Sequence, residues 1–253
     1  PMCVGNSEMA QSDQSTLTTA RALQLLEQGD LEHLHGLLPW SSNRTFIMSV
    51  ADDDLDALAI YKPRRGERPL WDFPDGTLCL REVAAFVVSE ALNWRLVPPT
   101  VLRDGPYGIG MVQLYVPHDP EQHYFTFGPQ YRSQLQRIAL FDHVVNNADR
   151  KGGHCLLDTD GQIWAIDHGI CFHVSPKLRT VIWDFAGQKI PEALLRDVHT
   201  LLRRLNEPDL VDALRKLLDR SEVEGIRRRI EHLLSAGIYP EAGPSRSYPW
   251  PPV

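Results

Sequence analysis

The chain of 253 residues lacks several features that mark specialised classes of protein. No apolar run approaches the ~20 residues of a membrane-spanning helix, and the N-terminal residues contain no apolar signal core. Basic residues do not exceed acidic ones, and a formal net charge of -7 argues against broad nucleic-acid binding. These absences predict a cytoplasmic protein with no transmembrane segment and no nucleic-acid partner.

Cysteine is scarce, and its spacing excludes common metal sites. Cys3, Cys79, Cys155 and Cys171 form no C-x-x-C pair, so a structural zinc site is not expected. In a cytoplasmic protein they are most simply reduced core residues. The phosphate-binding pattern G-x-x-x-x-G-K-[ST] is also absent, which excludes a P-loop nucleotide hydrolase.

The remaining composition, 43% hydrophobic and 23% charged, is ordinary for a globular protein. β-like stretches dominate the first half of the chain and helical patterns the second. The predicted fold class is therefore α+β, with a β-rich N-lobe over residues 15–115 and a mainly helical C-lobe over residues 116–236. Residues 1–14 are polar and predicted to be disordered, and the proline-rich tail at residues 237–253 predicts no regular element.

Hydrophobic periodicity and turn residues predict the individual elements. An amphipathic helix is expected from Ser15 to about Gly29, and a β-hairpin is expected around the acidic turn "ADDD". Two strands are predicted around a turn at Asp104–Gly105. Further helices are expected at about residues 78–92, 130–145, 191–204, 207–219 and 221–235.

Two aspartates stand at the ends of a short hairpin-like pattern, "NNADRKGGHCLLDTDGQIWAIDHGICF". Phosphoryl transfer needs one carboxylate to accept or orient the acceptor hydroxyl and another to hold magnesium against the phosphates. Asp149 and Asp167 would suit these roles if the hairpin brought them to one cleft. Each also has a structural explanation, Asp149 as a cap of the preceding helix and Asp167 as a turn residue before Gly169.

A lysine and a glutamate in the first half extend this pattern. Lys62 ends the apolar strand "LAIYKP", and Glu82 begins the helix that follows. An ion pair between them would hold the ammonium toward phosphate oxygens. Alternatively, Lys62 is a solvated residue at a strand end. The turn "WSSNRTF" supplies small polar groups for an anion, and a plain surface turn explains it equally well.

Taken together, these segments resemble the phosphatidylinositol 3-/4-kinase superfamily. The similarity is strongest to type II phosphatidylinositol 4-kinases and to an uncharacterised actinobacterial group that carries the same D-R-K-G-G-H stretch. It rests on "SSNRTF", "AIYKP", "LREVAAFVVSEALNWRLVPPT", "NNADRKGGH" and "AIDHGICF", which occur in the family's order within residues 36–175.

The resemblance implies a two-lobed protein-kinase-like fold that binds ATP with Mg²⁺, or alternatively Mn²⁺. Lys62 would touch the α-phosphate region with Glu82 as its partner. Asp149 would be the catalytic carboxylate, Arg150 would shape the catalytic loop, and Asp167 would ligate the metal. The remaining nucleotide contacts would come from a phosphate-covering loop with Ser41, Ser42 and Asn43, and from a lobe connector beside adenine with Gln113, Leu114 and Tyr115.

One position departs from the family pattern. A loop Asn that helps to coordinate magnesium is replaced here by His154, and imidazole suits Mn²⁺ better than the hard Mg²⁺ ion. His154 would ligate a metal, take another catalytic role, or mark a weak or inactive enzyme; as a structural residue it would hydrogen-bond the loop. The hypotheses are an ATP-dependent phosphotransferase with an unknown hydroxyl acceptor (a lipid, a small metabolite or a protein Ser/Thr), a nucleotide-binding pseudokinase, or an unrelated fold.

Overall fold

A computed structural model of the chain describes residues 17–37, 43–243 and 247–253. The predicted disordered N-terminus, Cys3 and the loop residues Ser41 and Ser42 lie outside these ranges. The first helix, α1 (Thr19–Gln28), is confirmed: the side chain of Thr18 accepts a hydrogen bond from the backbone N–H of Arg21, and the helix ends at Gly29.

Five antiparallel strands form the main sheet, in the order β1-β2-β3-β5-β4. The strands are β1 (Asp30–Leu37), β2 (Phe46–Ala51), β3 (Asp56–Pro63), β4 (Thr100–Gly105) and β5 (Gly108–Leu114). The β2–β3 hairpin was predicted. The second turn follows Gly105, slightly later than expected, and Gly108 adopts a positive φ of 94° there.

Strand β1 was not predicted, for a physical reason. It lies at the edge of the sheet, and its pairing with β2 shifts register twice along its length. His33 within it has a φ of 34°, which breaks the alternation of faces. A strand with this irregularity leaves no period-two pattern in the sequence.

Helix α2 (Leu78–Ala91) lies between the sheet and the helical part of the molecule and is almost entirely buried. Its first two turns pack Cys79 and Val83 against Met111 of β5. Residues from Ala84 onwards join the large hydrophobic core of the helical part. The helix therefore connects the two cores, so a side chain on its early turns lies beside the cleft.

The second half contains helices α3 (Arg132–Val145), α4 (Glu192–Arg204), α5 (Pro208–Arg215) and α6 (Arg220–Ala236), all of which were predicted. A small hairpin of β6 (Cys155–Leu157) and β7 (Ile163–Ala165) follows α3. This arrangement is the two-lobed kinase-like fold of mixed α and β structure. Cys79, Cys155 and Cys171 are buried and unbridged, as expected. No helix in the described ranges is long and apolar enough to cross a bilayer.

Candidate active site

Lys62 ends the β3 strand with its ammonium directed into the cleft between the two lobes. Its Nζ lies 2.6 Å from Glu82 Oε1 and 2.9 Å from Asp167 Oδ1. Burial alone would lower the pKa of Lys62, but these two carboxylates outweigh burial and raise it. The ammonium therefore stays charged, as a phosphate-binding lysine must.

Glu82 joins the sheet, α2 and the segment after β7. One carboxylate oxygen accepts from Lys62, and the other accepts from the backbone N–H of His168 at 2.7 Å. Its side chain is only 2% exposed. A buried carboxylate with two charge-assisted or backbone donors is held in one orientation, so Glu82 fixes both Lys62 and the loop that carries Asp167.

Asp167 follows β7 in the left-handed region, with a φ of 62°. An aspartate tolerates this conformation better than most residues, and such backbone strain is commonly found at functional sites. Burial of the carboxylate opposes its ionisation, but the neighbouring Lys62 and His154 outweigh burial and lower the pKa of Asp167. Its side chain is still 45% exposed, so the carboxylate is ionised and open to the cleft.

Asp149 lies on the loop that follows α3. That helix ends at Asn146, which adopts a left-handed conformation with a φ of 54°. The side chain of Asn147 then accepts a hydrogen bond from the backbone N–H of Asp149 at 2.9 Å. Burial raises the pKa of Asp149 to about 6, although Lys151, 3.4 Å away, opposes the shift. A carboxylate with a pKa near neutrality is suited to accepting a proton.

Arg150 is wholly buried and connects the loop of Asp149 to the segment of Asp167. Its guanidinium pairs with Asp142 of α3 at 3.0 Å and donates to the backbone carbonyl of Ile166 at 2.7 Å. It also lies 2.7 Å from Nε2 of His168. Because an arginine can only donate, this nitrogen of His168 accepts. Arg150 reaches no cleft surface, so it is placed to shape the loop rather than to touch a substrate.

His154 contacts the same carboxylate as Lys62. Its Nε2 lies 3.2 Å from Asp167 Oδ2, and its Nδ1 faces the backbone N–H of Lys151 at 3.4 Å. Burial lowers the pKa of His154 to about 4, so the ring is neutral. With Nδ1 facing a donor, the ring proton is assigned to Nε2, which donates to Asp167.

The residues present fit a divalent cation only in part. Within the described ranges, no group of three or more His, Cys, Asp or Glu side chains is arranged to hold a metal. Asp167 nevertheless offers an exposed, ionised carboxylate. Mg²⁺ is commonly bound in proteins by one or two carboxylates together with substrate phosphates and waters, so Asp167 fits that kind of site.

The residues of the lobe connector that were predicted to contact the nucleotide already form hydrogen bonds with other parts of the chain. The N–H of Leu114 donates to Pro99 and that of Tyr115 to Leu58, each at 2.9 Å. Gln113 pairs within the sheet and donates its side-chain amide to Thr100. Val116 is the next residue, and its N–H forms no hydrogen bond within the described part of the chain. Sequence patterns could not show which N–H groups of the lobe connector are free to bond a ligand, because this depends on how the strands pair.

The predicted phosphate-covering loop is described only at its end. Ser41 and Ser42 lie outside the described residues. The side-chain oxygen of Asn43 accepts from the backbone N–H of Arg68 at 2.8 Å, which connects this loop to the segment after β3. The role of all three residues in nucleotide binding stays a prediction.

A contact that the sequence did not indicate joins the tail to the catalytic loop. The N–H of Gly152 donates to the carbonyl of Pro252 at 2.8 Å. A Cβ at Gly152 would lie 2.8 Å from the ring of Phe125, so only glycine fits this packing. Part of the proline-rich tail therefore supports the "DRKGGH" loop.

Comparison with known proteins shows the family of the chain. The sequence profile of the phosphatidylinositol 3- and 4-kinase family matches residues 8–216. The chain belongs to this family. Within the family, it is similar to phosphatidylinositol 4-kinase gamma 4 of Oryza sativa subsp. japonica, with 31% identity over 117 residues, 38% of this chain and 20% of that protein.

Similarity extends over most of the chain for a second protein. Protein Rv2133c of Mycobacterium tuberculosis is 39% identical over 262 residues, covering 90% of this chain and 94% of that one. Among solved structures, the Helicobacter pylori proinflammatory kinase CtkA superposes with a TM-score of 0.53 and 11% identity, over 85% of this chain and 94% of that chain. This last similarity shows a shared kinase fold.

Proposed function

We propose that the protein is an ATP-dependent phosphotransferase that transfers the γ-phosphate to a hydroxyl acceptor. The observation that carries the proposal is the meeting of Lys62, Glu82 and Asp167 at one point of the cleft, with separations of 2.6 and 2.9 Å. Three residues far apart in the chain form a buried charge cluster around one exposed carboxylate. Membership of a kinase family and a kinase fold support the same reaction class.

Each residue has a role in the proposed reaction. Lys62, oriented by Glu82, binds phosphate oxygens of ATP. Asp167 would hold the divalent ion, with His154 as a second ligand when its ring carries the proton on Nδ1, and the ion would neutralise charge on the phosphates. Asp149 takes the proton of the acceptor hydroxyl while the hydroxyl oxygen of the acceptor bonds to the γ-phosphorus of ATP. The bond between the γ-phosphorus and the β–γ bridging oxygen breaks, and ADP leaves with its electron pair. Arg150 holds the loop of Asp149 in a fixed position relative to the segment of Asp167.

The acceptor is proposed only as a hydroxyl compound. A lipid, a small polar metabolite and a protein Ser/Thr are all hydroxyl acceptors of this kind. The roles proposed for Lys62, Glu82 and Asp167 concern ATP, the phosphate donor, and do not distinguish among these acceptors. The segment that follows Asp167, Val174 to Trp183, includes the basic residues Lys177 and Arg179, which would attract an anionic acceptor. Lys177 is already paired with Asp72 at 2.7 Å, so it contributes little free charge.

A second candidate function is that of a nucleotide-binding regulator without turnover. It is favoured by His154, whose neutral ring donates to Asp167 instead of offering an amide oxygen to a metal. Such a protein would bind ATP at Lys62 and Asp167 but would not transfer phosphate.

ATP turnover with Mg²⁺ and then with Mn²⁺ tests the proposal, with Asp149→Asn and Asp167→Ala as inactive controls. Turnover that both substitutions abolish supports a phosphotransferase. Turnover that survives in both variants would reject it. Thermal stabilisation by ATP without turnover would favour the regulator, because a ligand of the native state raises its apparent stability.

A further inference from the structure

A cavity of about 760 Å³ opens in the helical lobe, between α6, the segment at residues 174–183 and the tail. Its volume lies within the range of small-molecule sites. Part of its wall is apolar and is formed by Val174, Leu178, Trp183 and Leu233. The described residues that line it include neither Lys62, Asp149 nor Asp167, so the cavity is separate from the candidate active site.

Three arginines line this cavity. Arg179 comes from the segment after Asp167, and Arg228 and Arg229 come from α6. None of the three forms an ion pair with a carboxylate anywhere in the described part of the chain. One carboxylate, Glu241, also lines the cavity, so among the described residues three arginines face a single acidic side chain there. Net positive charge is unexpected here, because the whole chain carries a formal charge of -7.

Arg229 has one buried guanidinium nitrogen that forms no hydrogen bond with the described residues. Its Nε donates to the carbonyl of Val144 at 2.8 Å, but its Nη2 is buried and has no hydrogen-bond partner among the described residues. Burial lowers its pKa to about 10. By contrast, the buried Arg81 and Arg150 each pair with a carboxylate, at 2.6 and 3.0 Å. Buried donors are nearly always satisfied in native proteins, so Arg229 is placed to receive an anion.

Gly225 lies beside the guanidinium of Arg229. It lies within helix α6, where glycine costs roughly 1 kcal/mol relative to alanine. A Cβ at this position would lie 3.0 Å from Arg229 Nη1. A larger residue at position 225 would require the guanidinium of Arg229 to move by a few tenths of an ångström.

We propose that this cavity binds a phosphate monoester with an apolar or aromatic body. Arginine forks match the oxygens of a phosphate dianion, and several unpaired arginines suit its double charge. The wall around Trp183 would bury the organic part. This site goes beyond the proposed phosphotransferase activity and does not depend on it. Occupancy would also reach the catalytic loop, because the backbone of Arg179 bonds to Asn147 and Arg150, each at 2.9 Å.

Isothermal titration calorimetry on the full chain tests the proposal, in a Lys62→Met background that removes the phosphate-binding ammonium of the nucleotide site. The probes are phenyl phosphate, inorganic phosphate, neutral benzyl alcohol and short-chain dihexanoyl phosphatidic acid below its micelle concentration. We expect saturable binding of both esters at one site, with phenyl phosphate tighter than inorganic phosphate and no binding of benzyl alcohol. The tighter of the two esters tells whether a soluble metabolite or a lipid headgroup is the better occupant.

Arginine variants decide whether binding occurs in this cavity. Arg229→Gln and Arg228→Gln should each weaken phenyl phosphate binding about tenfold, while Arg203→Gln on α4 removes the same charge elsewhere and should change nothing. Arg228 is exposed, so its variant keeps the test valid even if Arg229→Gln unfolds. Absence of saturable binding by either ester would overturn the proposal. Equal affinities in Arg228→Gln and Arg203→Gln would also overturn it.

Discussion

The ammonium of Lys62 at the end of β3 lies 2.9 Å from the carboxylate of Asp167 beyond β7, although 105 positions separate them in the chain. This ion pair joins the sheet to the helical lobe across the cleft. Both partners are proposed to bind the triphosphate and its metal. The positions of the two groups therefore suit nucleotide binding before any nucleotide arrives.

Asp167→Ala should weaken metal-dependent ATP binding more than Asp149→Asn does. A metal ligand acts in the ground state, whereas a proton acceptor acts mainly in the transition state. The measurement is the ATP dissociation constant with and without Mg²⁺, by calorimetry, on variants whose unfolding midpoints match that of the parent. Equal losses of affinity in the two variants would contradict these roles.

ATP turnover should rise with pH through about 6. Burial raises the pKa of Asp149 to that value, and only the ionised carboxylate can accept a proton, so activity is lost as the pH falls below it. Lys151→Met removes the charge that opposes this shift and should move the midpoint upward. If the midpoint of the pH profile stays the same in this variant, ionisation of Asp149 does not control the pH dependence of turnover.

His154→Asn should lower the ratio of turnover with Mn²⁺ to turnover with Mg²⁺. An amide oxygen is a harder ligand than an imidazole nitrogen and suits Mg²⁺ better. The two metals are compared at saturating concentrations, and His199→Asn on the exposed face of α4 is the matched control. The role of His154 at the metal would be refuted by a ratio that both variants leave unchanged.

Arg150→Met should destabilise the protein by about 3–5 kcal/mol, because it leaves the carboxylate of Asp142 buried and unpaired. Both side chains of this pair are 0% exposed. The free energy of unfolding in urea measures the effect, and the double variant Arg150→Met with Asp142→Leu should recover part of the loss. A cost below about 1 kcal/mol would show that the pair contributes little to the loop.

Local sequence patterns determined most of the elements. The helices from α2 to α6 and the β2–β3 hairpin follow from hydrophobic periodicity and turn residues, which act over a few positions. The resemblance to the kinase family also followed from short motifs, and the family comparison confirmed it. Strand β1 escaped detection because its irregular pairing with β2, including the positive φ of His33, removes the alternation that marks a strand.

The sequence by itself determined the fold class, most of the elements and the candidate residues Lys62, Glu82, Asp149 and Asp167, because these depend on local pattern and on motifs of fixed spacing. Only the tertiary structure decided that three of them meet, that the N–H groups of Leu114 and Tyr115 are already bonded, and that Nη2 of Arg229 has no hydrogen-bond partner among the described residues. Such facts depend on contacts between segments far apart in the chain. No local pattern encodes them, since each arises from how whole elements pack.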